Sequence, residues 1–191
     1  MKILELESFP LLGKRLIEAS AGTGKTYTIA NLYLRLLLAD FQFEQQPGQQ
    51  SEKGSNLCLQ PVDRILVVTF TRAATEELRG RIRDRIRELY EDVLRLEQEN
   101  ENQIDAEFKA LILRTQDNFY SVKDPKKLKL TDWLQANLTQ MDESSVFTIH
   151  GFCQRILKQF AFDSGVGFES EIILDAQDYL KRAAQDYWRE L

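Results

Sequence analysis

Apolar residues in this chain recur at two spacings, and the two alternate. Between residues 26 and 39, Ile29, Leu32, Tyr33, Leu36 and Leu37 fall three or four apart, the period of a helix with one apolar face. Leu78, Ile82, Ile86, Leu89, Val93 and Leu96 repeat that spacing over a longer stretch and predict a long helix. Between these lie short runs suited to buried strands: residues 15–19, residues 64–69 behind Pro61, and residues 146–149. A weaker helix is predicted over 105–114. Pro125 breaks a lysine-rich turn at 123–129, and Thr131, Asp132 and Trp133 open a helix that ends near Met141. A further helix runs through Phe152, Ile156 and Phe160, with Gly165 and Gly167 ending that unit. Asp175 is the expected N-cap of a last helix, which runs on through Leu180 to Trp188. Residues 42–61, rich in Gln, Gly, Ser and Pro without an apolar period, read as a flexible insert. Strand–helix alternation predicts an α/β chain, a mostly parallel sheet with helices on its faces.

The 191 residues suffice for a buried core, and 43% apolar with 29% charged residues is an ordinary globular balance. The longest apolar stretch, 29–39, is broken by Asn31 and Arg35, too short and interrupted for a membrane span. The first residues carry an early acid and no cleavage pattern, which argues against a secretory signal. Cys58 and Cys153 stand far apart without companions at metal-ligand spacing, so a reducing, cytoplasmic setting without zinc is expected.

A net charge of −5 argues against nucleic acid until its distribution is followed. Seven arginines lie between 64 and 87, against Glu76, Glu77 and Asp84, whereas 88–107 holds eight acids and Arg95 alone. Two accounts stay open: a phosphate-binding surface, or a helix face whose arginines pair with acids one turn away.

Ala19-Ser20-Ala21-Gly22-Thr23-Gly24-Lys25-Thr26 joins a predicted strand to a predicted helix. Glycines at 22 and 24 let successive backbone N–H groups turn inward, and the helix start adds its own donors around β- and γ-phosphates. Lys25 brings a mobile positive charge to the same oxygens, and the Thr26 hydroxyl is placed to ligate Mg²⁺. A nucleoside triphosphate with Mg²⁺ is therefore the expected ligand. The first position is Ala19 where the common pattern has glycine.

Beyond the second strand, Phe70, Thr71 and Arg72 lead into the arginine-rich helix. An aromatic at a strand tip can stack on a base while its neighbours hold phosphates, although a phenylalanine is more often core. The third strand ends in the same style with Thr148 and His150, the one histidine of the chain, and Arg155 follows. No nucleophile pattern surrounds His150, so a phosphate or base contact is the expected role.

Residues 17–26 (IEASAGTGKT), 67–82 (VVTFTRAATEELRGRI) and 146–157 (VFTIHGFCQRIL) resemble, in order and content, motifs I, Ia and Ib of the UvrD-like superfamily 1 DNA helicases. Arg72-Ala73 and Thr148-Ile149-His150-Gly151 replace the Asn-Lys and Thr-Phe-His-Ser usual in those motifs, which is similar to the RecB-like branch. The resemblance implies a RecA-like P-loop fold and ATP hydrolysis coupled to translocation along single-stranded DNA. It further implies unwinding of duplex ends in recombinational repair, a nuclease domain further along the chain, and RecC-like and RecD-like partner subunits. It assigns Lys25 and Thr26 to ATP and Mg²⁺, with 19–26 as the nucleotide loop. Phe70, Thr71, Arg72, Thr148, His150 and Arg155 are assigned to single-stranded DNA.

Two family features have no match: a glutamine within residues 1–25, and an Asp-Glu pair after Leu157. On this reading, residues 1–165 are the first part of the RecA-like motor domain and 166–191 begin an inserted helical subdomain. The sheet is then incomplete, and the isolated piece is expected not to hydrolyse ATP and to self-associate or rearrange its sheet. A small P-loop kinase and a non-catalytic interaction module are the alternatives.

Overall fold

A computed structural model describes residues 6–20, 22–39, 59–98, 104–115, 129–161 and 176–190. The chain divides into two compact units, Met1–Ile149 and His150–Leu191.

The first unit is built on one long helix. α1 (Lys25–Leu37) is followed by β1 (Val67–Thr69), then α2 (Arg72–Glu97), α3 (Ala106–Thr115), α4 (Leu130–Thr139), a 3₁₀ turn at Met141–Glu143, and β2 (Val146–Thr148). α2 has 26 residues, about 39 Å at the helical rise. Its stripe Leu78, Ile82, Ile86, Leu89 and Val93 is buried as the spacing predicts, and α1, α3 and α4 pack along it. Thr71 starts the helix firmly, its Oγ1 accepting the Ala74 N–H at 3.1 Å.

The buried face of α1 differs from the expected one. Ala30, Tyr33, Leu34 and Leu37 enter the core, while Ile29 stays exposed. The helix is rotated because two polar residues on its inner side find partners. Asn31 Oδ1 accepts from Arg85 on α2, and Arg35 Nη1 donates to the carbonyls of Leu6 and Phe9, both at 2.6 Å. Burial lifts the Tyr33 phenol far above its usual range, and its hydroxyl donates to the Val62 carbonyl. Asn137 on α4 accepts the Val62 N–H, so the turn before β1 is held by α1 on one side and α4 on the other, and the Trp133 indole ties α4 to α1 by donating to Leu37 O.

Among the described residues the sheet has two strands, β1 and β2, parallel, with Val67 beside Val146 and Thr69 beside Thr148. That parallel pair, joined through helices, is the α/β pattern read from the sequence. The expected strand over residues 15–19 is not formed. This segment lies in no regular element, and Leu16 is 83% exposed. A strand needs a neighbour for its N–H and C=O groups, and none among the described residues lies beside it. Val68 on β1 and Leu66 just before it are also exposed.

The second unit contains most of α5 (Ile149–Gln159) and α6 (Gln177–Glu190). Both are amphipathic, and Tyr179, Leu180, Tyr187 and Trp188 form an exposed apolar stripe on α6. The predicted cap Asp175, most of the 42–61 insert, and Gly165 and Gly167 lie outside the described residues.

Candidate nucleotide site and nucleic-acid interface

The loop before α1 takes the backbone form that its glycines permit. Gly22 and Gly24 have φ of 78° and 80°, the left-handed region that side chains disfavour. A Cβ on either would meet nothing within 4 Å, so the need for glycine is conformational. Thr23 tightens the turn, its hydroxyl donating to Ser20 O at 2.8 Å. Ala21 lies outside the described residues.

Gly24 is the N-cap of α1 and offers no side-chain acceptor to the first N–H groups, and the first turn carries no acid. The positive end of the helix is therefore open to an anion. The Lys25 ammonium folds back on the loop, donating to the carbonyls of Ala19 (3.2 Å) and Ser20. Lys25 is exposed and Thr26 half-buried at the same end. A cleft of about 520 Å³ opens there, lined by Gly22, Gly24, Lys25 and Thr26 and by Glu77, Arg81 and Asp84 of α2. Its size suits a nucleotide-sized ligand. A second cleft of about 340 Å³ is lined by Ile17, Ala19, Ser20, Lys25 and Ile29.

A polar cluster that sequence reasoning missed ties this corner together. Arg85 of α2 donates to Asn31, Glu88 and Glu107, and its guanidinium lies 4.3 Å from the Phe108 ring centre and 5.2 Å from that of Tyr27. The Tyr27 hydroxyl donates to Glu107 at 2.6 Å. That bond to a carboxylate, with partial desolvation, raises the phenol above its ordinary range, against a smaller lowering from Asn31 and Arg85. Only the Arg85–Glu88 spacing, one helical turn, was visible in the sequence.

The arginines of α2 divide into two groups. Arg79 pairs with Glu76 and donates to Val146 O, Arg83 pairs with Asp142 at 2.6 Å, and Arg87 lies 3.9 Å from Asp84. Arg79 and Arg83 thereby brace α2 against β2 and the 3₁₀ turn, while Arg87 pairs only within its own helix, as the pairing account of the basic run holds. Among the described residues, Arg72 and Arg81 have no ion-pair partner.

At the tip of β1, Phe70 is 87% exposed rather than core. Thr71 serves as the cap of α2, and its carbonyl accepts from the hydroxyls of Thr69 and Thr75. Its side chain is thus already engaged in positioning the tip. Arg72, exposed, opens the helix at the end where the dipole disfavours a cation; an external anion there would offset that cost. Register places Thr148 beside Thr69, so β2 ends at the same level as β1. His150 and Arg155 lie on exposed positions of α5 in the second unit.

Among the described residues, no helix is long and apolar enough to cross a membrane. In comparison with known proteins, the RecBCD enzyme subunit RecB of Escherichia coli is 46% identical over 182 residues, 94% of this chain and 13% of that protein. The subunit of the same name from Haemophilus influenzae is 42% identical over 96% of this chain, and that from Buchnera aphidicola subsp. Acyrthosiphon pisum 38% over 97%. The chain spans 13–14% of the length of these relatives. The profile of the family described as UvrD/REP helicase N-terminal domain matches residues 5–189, and the chain belongs to that family.

Proposed function

We propose that the chain is the ATP-binding front part of a RecB-like, ATP-dependent DNA helicase and exonuclease that unwinds and degrades double-strand ends in recombinational repair. The observation that carries this reading is the uncapped start of α1, framed by two positive-φ glycines and Lys25. The similarity to RecB proteins along 94% of the chain supports the motor over a small kinase. In this reading residues 1–165 begin a RecA-like motor domain, whose complete P-loop sheet includes the 15–19 segment as a strand, and 166–191 begin a helical subdomain.

The residues present fit a nucleotide polyphosphate. The N–H groups of the loop and of the first turn of α1 hold the phosphate oxygens, and Lys25 leaves its carbonyl partners to bind them. Thr26 Oγ1 would supply one oxygen to Mg²⁺, an ion that binds through few protein ligands and keeps phosphate and water for the rest. When bound, Mg²⁺ neutralises phosphate charge. The nucleotide loop is Ala19, Ser20, Ala21, Gly22, Thr23, Gly24, Lys25 and Thr26.

Single-stranded DNA lies across the strand tips. Phe70 stacks on a base, Arg72 and the positive end of α2 hold phosphate, and Thr71 fixes both. Thr148, level with Thr69 at the end of β2, extends this track, and His150 and Arg155 are single-strand contacts carried by the second unit. RecC-like and RecD-like subunits are its partners, since the relatives are named as subunits of a RecBCD enzyme, and the cytoplasm is its compartment. Loss of a stacked base costs about 1–3 kcal/mol, so Phe70→Ala in the full-length protein should weaken single-strand binding by about tenfold. Its melting temperature should not change, because the ring is not packed. Fluorescence titration with a labelled oligonucleotide measures this, and unchanged affinity would remove Phe70 from the interface.

A further inference from the structure

We infer that Arg81 is a further phosphate-binding residue of the nucleotide site, contributing a second cation from α2 to the polyphosphate held by Lys25. The inference rests on the nucleotide reading above and adds a residue outside the glycine loop.

Arg81 lines the same cleft of about 520 Å³ as Gly22, Gly24, Lys25 and Thr26. Glu77 and Asp84, one turn to either side on α2, are its natural ion-pair partners. Among the described residues it pairs with neither. The other charges of the cleft are largely spoken for. Glu88 is held by Arg85, and Asp84 faces Arg87. What remains facing the open start of α1 is Lys25 and Arg81 against Glu77, a balance that favours an anion.

The neighbouring arginines show why this position differs. Arg79, Arg83 and Arg85 are half-buried and brace α2 against β2, the 3₁₀ turn and α1, whereas Arg81 is exposed. Its guanidinium can therefore move to a ligand without breaking a structural contact. Arginine suits that task because its planar fork grips two phosphate oxygens at once. α2 is also clamped to α1 by the Arg85–Asn31 bonds, and both helices share Glu107 of α3, which accepts from Arg85 and Tyr27. The backbone from which Arg81 reaches is thereby fixed relative to Lys25 and Thr26.

The test uses the full-length protein with Arg81→Ala, Arg81→Lys and Lys25→Ala. It measures KM for MgATP, the Kd of MgADP by calorimetry, and single-strand affinity without nucleotide. Losing one charge-assisted contact should raise KM for MgATP by about tenfold or more in Arg81→Ala. Arg81→Lys should recover part of that loss, and nucleotide-free DNA affinity should not change. The last readout separates a phosphate contact from a DNA contact or a merely structural role. If KM and Kd stay within about twofold of the parent while Lys25→Ala stops hydrolysis, Arg81 is not a phosphate residue and the loop assignment stands. If Lys25→Ala itself hydrolyses normally, the nucleotide reading fails and this inference with it.

Discussion

Replacement of Lys25 by alanine is expected to lower ATP turnover of the full-length protein by a hundredfold or more while leaving its fold intact. Both halves of that expectation come from the geometry. Lys25 is exposed, and its contacts are to the Ala19 and Ser20 carbonyls of its own loop, so it supplies charge rather than packing. Removing one preorganised donor from a developing negative charge costs on the order of 10²–10³ in rate. Steady-state hydrolysis beside circular dichroism measures both halves. A folded Lys25→Ala variant that turns over at near-parental speed would show that the loop is not the phosphate site.

Ile86→Ala is expected to destabilise the first unit by about 2–5 kcal/mol. Ile86 is fully buried at the middle of α2, the helix against which α1, α3 and α4 pack. Truncation removes apolar contacts and leaves a cavity that a spine helix cannot easily collapse into. Exposed positions on the same helix, such as Arg87, should change stability by less than about 0.5 kcal/mol when replaced. Urea midpoints of the two variants compare them directly. A shift in Ile86→Ala no larger than in Arg87→Ala would mean that α2 is not the core.

Much of this architecture was legible because local signals and packing agree. The stripe from Leu78 to Val93 had an unbroken helical period and is buried as read. Thr71 and the β-branched run before it placed a strand-to-helix turn, and the structure has one there. Gly22 and Gly24 carried the loop, since a positive φ is what glycine permits. What failed to read through depends on partners distant in sequence. The apolar 15–19 run looks like a strand, but strand formation needs a neighbour that periodicity cannot supply. The rotation of α1 is set by Arg85 reaching Asn31 and by Arg35 reaching Leu6 and Phe9, which no helical wheel contains. The arginine run was ambiguous for the same reason: Asp142 and the Val146 carbonyl, far along the chain, decide that Arg83 and Arg79 are structural. Burial preference alone favours a core phenylalanine, yet Phe70, expected from its place at a strand tip to meet a base, is exposed there.

If the start of α1 holds ATP and the strand tips hold single-stranded DNA, as proposed, each ligand affects the other. That coupling is tested most directly by ATP hydrolysis of the full-length protein with and without single-stranded DNA at fixed salt. The DNA is expected to stimulate hydrolysis at least about tenfold, a coupling of roughly 1.4 kcal/mol. That stimulation should be lost in Lys25→Ala and should need a higher DNA concentration in Phe70→Ala. Hydrolysis indifferent to single-stranded DNA at saturating concentration would contradict it.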